Sequence, residues 1–241
     1  MKKFILLLLI IAVGCQTTKI KDTSYKISNS TIELGSIGHA ASFTNIKNNF
    51  STQAIAGLEN KIRLDIQQIP FTKKVNDIYL DKTNSLQISP IINYSDSLAQ
   101  KPKFVTISIM DLTGLAGELN AEYNKTVATF LKDTREASIV TSIAIVLPDE
   151  ILNKISQADS YYLVNEREKK YTVALYKDGK KQETIDIYQG TVIAYTLGRF
   201  CWAVSDRQKW YVADIVIDNK SCPGNTLEKI KDKEEKNLFK M

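Results

Sequence analysis

Histidine occurs once in the 241 residues, at His39, and cysteine three times, at Cys15, Cys201 and Cys222. These scarcities exclude much chemistry. A structural zinc site needs about four nitrogen or sulfur ligands, often in Cys-x2-Cys pairs; the chain has four such residues in all, far apart, and the paired spacing is absent. A Ser/His/Asp triad would have to use His39, and no Gly-x-Ser-x-Gly segment accompanies it. Charge of one sign is also scarce. The formal net charge is +5, which falls to +3 without Lys2 and Lys3, and no dense basic face is visible. Nucleic acid is therefore not an expected partner. Only one long apolar run exists, the ten residues Phe4 to Val13, and a helix that crosses a bilayer needs about 20. Apolar residues nevertheless make up 44% of the chain, enough for a core in one domain of ordinary size.

What is present starts at the amino terminus. Met1-Lys2-Lys3 precedes the apolar run, and Gly14-Cys15 follows it, the layout of a secretory signal. Ala12-Val13-Gly14-Cys15 resembles the lipobox of bacterial lipoproteins, and the resemblance covers residues 1–15 only. It implies a signal peptide over 1–14, cleaved to leave Cys15 as a lipidated amino terminus. Each buried methylene contributes about 0.8 kcal/mol, so two or more acyl chains hold durably where one does not. Some lipoproteins carry an inner-membrane retention Asp where this chain has Gln16, so the resemblance implies the outer membrane, facing the periplasm or the cell surface. An ordinary cleaved signal and an uncleaved anchor are the alternatives. Residues 15–30 are polar and read as a flexible tether. An extracytoplasmic compartment permits disulfides, so Cys201 and Cys222 are a candidate bridge. The alternative is a buried Cys201 on a strand and a free Cys222.

Periodicity sets the expected elements over a globular region, 31–222. Thr31 to Asn49 reads as a short strand and then loop, and Ser51 to Asn60 as a short helix. Ile62, Leu64 and Ile66 alternate with polar residues and predict a strand ending near Pro70. Asp77–Leu80 and Ser85–Ser89 flank a polar turn and predict a hairpin. Residues 90–103 read as a long loop or subdomain boundary. Phe104 to Met110 alternates as a strand, and Asp111 is a candidate N-cap for one helix carrying Leu112, Leu115, Leu119, Tyr123, Val127, Phe130 and Leu131. Ser138 to Leu147 is apolar on both faces and predicts a central strand. Pro148-Asp149-Glu150 opens a second helix. Strands follow, with Asp178-Gly179 as a type I′ hairpin turn and a bend or bulge at Gly198. Asn225-Thr226-Leu227-Glu228 resembles a capping box that opens a charged helix over 223–241. The expected class is α+β, a mainly antiparallel sheet with a central β-α-β-α segment and helices on one face.

No catalytic constellation emerges. Asp111-Leu112-Thr113-Gly114 resembles the Asp-Thr-Gly of aspartic proteases only with Leu112 inserted, and the second carboxylate that chemistry needs is missing. Gly35-Ser36-Ile37-Gly38 lacks the Lys-Ser/Thr of a phosphate loop. Glu118, Glu122 and Asp133 read as a solvated helix face. The expectation is a lipid-anchored binding, adaptor or assembly protein without metal or cofactor, held to the membrane by its lipid and engaging a protein or glycan. Tyr171, Tyr176, Tyr188, Trp210 and Tyr211 on the late strands are its candidate surface, while Phe200 and Trp202 read as core, with Trp202 and Trp210 as a cross-strand pair. Two other classes stay open. One is an envelope hydrolase with two acids about 5–10 Å apart in a cleft. The other is a carrier enclosing an apolar ligand between the sheet and the helix from Leu112 to Leu131.

Overall fold

The computed structural model describes residues 17–27, 30–40, 50–134, 136–167, 170–217 and 220–230. Cys15 and the lipobox lie outside them. The strands are β1 (Thr17–Ile20), β2 (Thr23–Ile27), β3 (Ile37–Ala40), β4 (Phe50–Ala54), β5 (Ile62–Pro70), β6 (Lys103–Ile109), β7 (Ser138–Val146), β8 (Ser160–Arg167), β9 (Lys170–Lys177), β10 (Lys180–Ile185), β11 (Thr191–Val204) and β12 (Trp210–Ile217). The helices are α1 (Lys73–Leu86), α2 (Leu112–Asn120), α3 (Lys125–Asp133) and α4 (Asp149–Gln157). All strands join one sheet in the order β1-β2-β11-β7-β6-β5-β8-β9-β10. β12 pairs with β11, and β3 pairs with both β4 and β7. The pairs are antiparallel. The class is thus α+β with a mainly antiparallel sheet. Among the described residues no helix is long and apolar enough to cross a membrane.

β7 shows how one strand serves two cores. Side chains alternate across a strand, so Ile143 and Ile145 enter the larger core while Ala144 and Val146 enter a second one on the opposite face. α2, α3 and α4 contribute Leu115, Leu119, Leu131, Ile151 and Ile155 to the larger core. α1 contributes Val75 and Tyr79 to the second, together with Ile20, Tyr25, Phe71, Ile92 and Phe104. The helices therefore lie on both faces, not one. Phe71 anchors the smaller core, with edge contacts to Tyr79 at 6.0 Å and Phe104 at 5.7 Å between ring centroids.

Several elements differ from expectation for local reasons. Residues 17–27 form a hairpin in the sheet rather than a tether, turning at Lys21 with φ 51°. Residues 73–86 form α1 rather than a hairpin. Thr72 Oγ1 accepts the Val75 amide and starts it, and Gln87 in the left-handed region ends it. Residues 50–54 are a strand, and no helix forms over 51–60. The single long helix breaks at Ala121, whose extended ψ of 150° separates α2 from a short 3-10 turn and α3, so the central run reads β-α-α-β-α. The segment 87–102 is irregular, and its Ile92 and Tyr94 pack onto the second core. Residues 223–230 form no helix. Leu227 instead pairs with Trp202 through two backbone bonds of 2.8 Å, and the remaining tail lies outside the described residues.

Elsewhere the patterns translate directly. Asp178 and Gly179 both take positive φ, 52° and 72°, and join β9 to β10. β11 bulges at Val192/Ala194 and Thr196/Leu197, just before Gly198. Gly198 itself serves close packing, since a Cβ there would lie 2.7 Å from Thr141 Cγ2 and 2.8 Å from Ile215 Cγ2. Cys201 and Cys222 are bonded, which fastens the chain after β12 onto β11.

Candidate interaction surface

Among the described residues, the second face of the sheet is covered only in part. α1, the β1–β2 hairpin and residues 87–102 overlie the half centred on Ala144, Val146 and Phe104. Toward β8 and β9 the same face carries polar and aromatic residues. Ile62, Leu64 and Ile66 turn into the large core, so Arg63 and Asp65 are turned outward. Arg63 lies opposite Tyr162, Tyr162 lies opposite the buried Ala174, and Tyr176 lies two residues further along β9. Diagonal neighbours on a sheet are within reach of aromatic rings. Tyr162 and Tyr176 meet edge to face, centroids 4.9 Å apart and planes at 69°.

A cation completes the arrangement. Lys61 Nζ lies 4.2 Å from the Tyr162 centroid and 4.1 Å from that of Tyr176, and the Arg63 guanidinium lies 5.9 Å from Tyr162. Ring faces attract cations because their quadrupole is negative above the plane, by roughly 0.5–1 kcal/mol at exposed sites. Both rings are half-exposed, and Lys61 and Arg63 are exposed. An open sheet face is ordinary for an antiparallel sheet. Two rings and two cations at adjacent register positions add a preformed platform suited to stacking and charged contacts.

The five tyrosines and tryptophans expected as a surface do not converge. Tyr171 is 1% exposed, and its hydroxyl donates to the Ala56 carbonyl at 2.7 Å. Burial pushes that phenol well above its usual range. It belongs to the core because β9 turns Tyr171, Val173 and Leu175 inward. Tyr188 follows β10 in a short 3-10 turn and is 38% exposed. It donates to Glu33 at 3.0 Å, and burial followed by that carboxylate raises its pKa. Trp210 packs against the large core, and Tyr211 is exposed beside it on β12. Five strands separate β12 from β9, about 29 Å at ~4.8 Å per strand. Only Tyr176 joins the platform. Trp202 lies opposite Val212 and Trp210 opposite Val204, so the two tryptophans are diagonal neighbours rather than a directly opposed pair. Sequence reasoning missed Lys61, Arg63 and Tyr162. The alternation in β5 marks Arg63 as outward, but the β5–β8 pairing that unites them spans about a hundred residues of chain.

The carboxylates are occupied structurally. Asp111 caps α2, accepting the Gly114 amide at 2.7 Å. Glu118 was expected on a solvated face but is 5% exposed, because α2 turns it toward the loop before β5. It accepts the Glu59 amide at 2.7 Å, the Asn60 amide at 3.3 Å, Asn60 Nδ2 at 2.7 Å and the Tyr123 hydroxyl. Burial raises its pKa, but these donors outweigh that and leave it below the usual carboxylate range. Burial and the bond to Glu118 push Tyr123 up to about 12. Glu122 pairs with Lys125 at 3.4 Å on the surface, and Asp133 is exposed at the end of α3. His39 is half-exposed on β3, opposite Ser51. Ser36 donates to the Glu33 carbonyl at 2.7 Å within the turn before β3. Among the described residues no cluster of three or more His, Cys, Asp or Glu is placed to hold a metal ion.

No family model, curated protein or solved structure matches this chain.

Proposed function

We propose that the protein is a lipid-anchored module of a bacterial cell envelope that binds a protein or glycan partner and carries out no reaction of its own. The observation that carries the binding half is the Tyr162–Tyr176 pair under Lys61 on the sheet face that no other described residues cover. Aromatic faces stack on sugar rings and on protein side chains, with polar neighbours fixing orientation. Arg63, Asp65 and Ser160 supply those neighbours on the same face. The acids in the best-formed carboxylate region support a non-catalytic reading. Asp111 and Glu118 hold backbone amides, and neither is left to act as a general acid.

The anchor rests on the lipobox resemblance at Cys15, with outer-membrane placement following from Gln16. β1 begins at Thr17, two residues after Cys15 in the chain. Tethering would then raise the local concentration of the platform beside envelope partners.

Two measurements test the two halves. Mass spectrometry of the native amino terminus should find an acylated Cys15, and Cys15→Ala should move the protein from the membrane fraction to the soluble one. Acyl-free native protein, or a variant that stays with the membrane, overturns the anchor. Cross-linking in intact cells should capture an envelope partner that Tyr162→Ala/Tyr176→Ala loses at unchanged melting temperature. Equal capture by that variant overturns the platform.

A further inference from the structure

A cleft of about 280 Å³ opens on the larger-core side, between the end of α3, the start of β7, β11 and the segment after the disulfide. Its apolar lining is Leu131, Ala137, Phe200, Trp202 and Ile230, and its charged residues are Lys132, Arg199, Lys229, Glu136 and Glu228. The acids and cations do not cancel evenly. Arg199 is engaged, with Nη1 3.2 Å from Glu228 and Nη2 donating to the Lys220 carbonyl at 2.7 Å. Lys132 and Lys229 are exposed and have no acidic partner among the described residues. Among the described lining residues Glu136 is then the one carboxylate set against these two ammonium groups. The far wall is built, since Glu228, Lys229 and Ile230 follow directly on Leu227, which is bonded to Trp202.

We propose that this cleft binds a small amphiphile with one anionic head, its apolar body on Phe200, Trp202 and Leu131 and its head toward Lys132 and Lys229. The size decides against a helix or an extended peptide. The volume falls just short of the usual range of small-molecule sites, which starts at about 300 Å³, and so suits a small ligand. The charge decides the head, because among the described residues the rim carries three cations, Lys132, Arg199 and Lys229, to two acids, Glu136 and Glu228. The site lies at the Leu131 end of the sheet–helix interface expected to hold a ligand. Toward α2 that interface is closed, with Leu115 and Leu119 fully buried.

The test uses residues 16–241, which contain every described element, with decanoate as probe and decanol as its uncharged counterpart, followed by calorimetry. Decanoate should bind saturably with one site, and decanol at least tenfold more weakly. Lys132→Ala/Lys229→Ala should weaken decanoate about tenfold and leave decanol unchanged. No saturable decanoate binding, equal affinity for the two probes, or an unaffected double variant overturns the inference. The protein tested lacks Cys15, so failure here leaves the anchoring proposal standing.

Discussion

Two asparagines do the work of a peptide unit. Asn120 accepts the Val212 amide at 2.9 Å through Oδ1 and donates to the Val212 carbonyl at 2.7 Å through Nδ2, closing the outer edge of β12. Asn124 treats Gly57 the same way, at 2.7 and 2.8 Å, and also donates to the Glu118 carbonyl. Around them Glu118 satisfies amides that would otherwise be unpaired, and an unpaired buried donor costs about 1–3 kcal/mol. Glu118→Ala should lower the urea midpoint accordingly. The pH dependence follows from its depressed pKa. The unfolded chain binds the proton more tightly, so this group's contribution is complete above the unfolded carboxylate pKa and is lost as pH falls through the lower, folded value. Urea titrations from pH 7 to 3 should show wild type and Glu118→Ala converging in acid. Parallel curves would remove Glu118 as the source. None of this was legible in the sequence, where a glutamate two turns into a helix looks solvated. The loop that buries it comes from residues 57–60.

At the scale of elements, strands with a clear period were read correctly and mixed segments were not. β5, β6, β7 and the β9–β10 hairpin follow from alternation, from doubly apolar runs and from Asp178-Gly179. α1 did not, because Asp81-Lys82-Thr83-Asn84 resembles a turn and the helix is weakly apolar. Its stability comes from packing Val75 and Tyr79 onto the sheet, which overrides propensity, and from its cap. Thr72→Ala should destabilise the protein by about 1 kcal/mol, read as a lowered thermal midpoint with helical circular dichroism retained below it. An unchanged midpoint would mean that packing alone starts the helix. The sheet's far edge is β10, which carries Lys180, Lys181 and Glu183 and shifts register between Lys181 and Glu183. Charge and a bulge on an edge discourage pairing with other chains.

For the whole molecule the decisive strand is β11. It pairs with β7 along most of its length, with β2 at Ala194 and Tyr195, with β12 beyond Gly198, and with Leu227 at Trp202. Partners this distant in the chain cannot be inferred from local patterning, which is why the dispersal of the aromatic residues and the Tyr162–Tyr176–Lys61 platform were invisible before the fold. The bond between Cys201 and Cys222, 21 residues apart, closes the β12 hairpin onto this strand. A loop of that length contributes about 3 kcal/mol in the chain-entropy model. Reduction should lower the urea midpoint by that amount in free energy with the sheet intact below it. Identical midpoints with and without reductant would mean the crosslink adds nothing to stability.

The β1–β2 hairpin has a mechanical consequence. Its open end is the Thr17↔Lys26 pair, and among the described residues Ile27 and Lys26 alone join it to β11. Tension arriving through Cys15 would load the rungs one after another from Thr17 toward Lys21, not all at once. The hairpin would peel before the body of the sheet is stressed. Each freed residue would add about 3.4 Å of slack, turning a close mooring into a longer leash when the envelope is pulled.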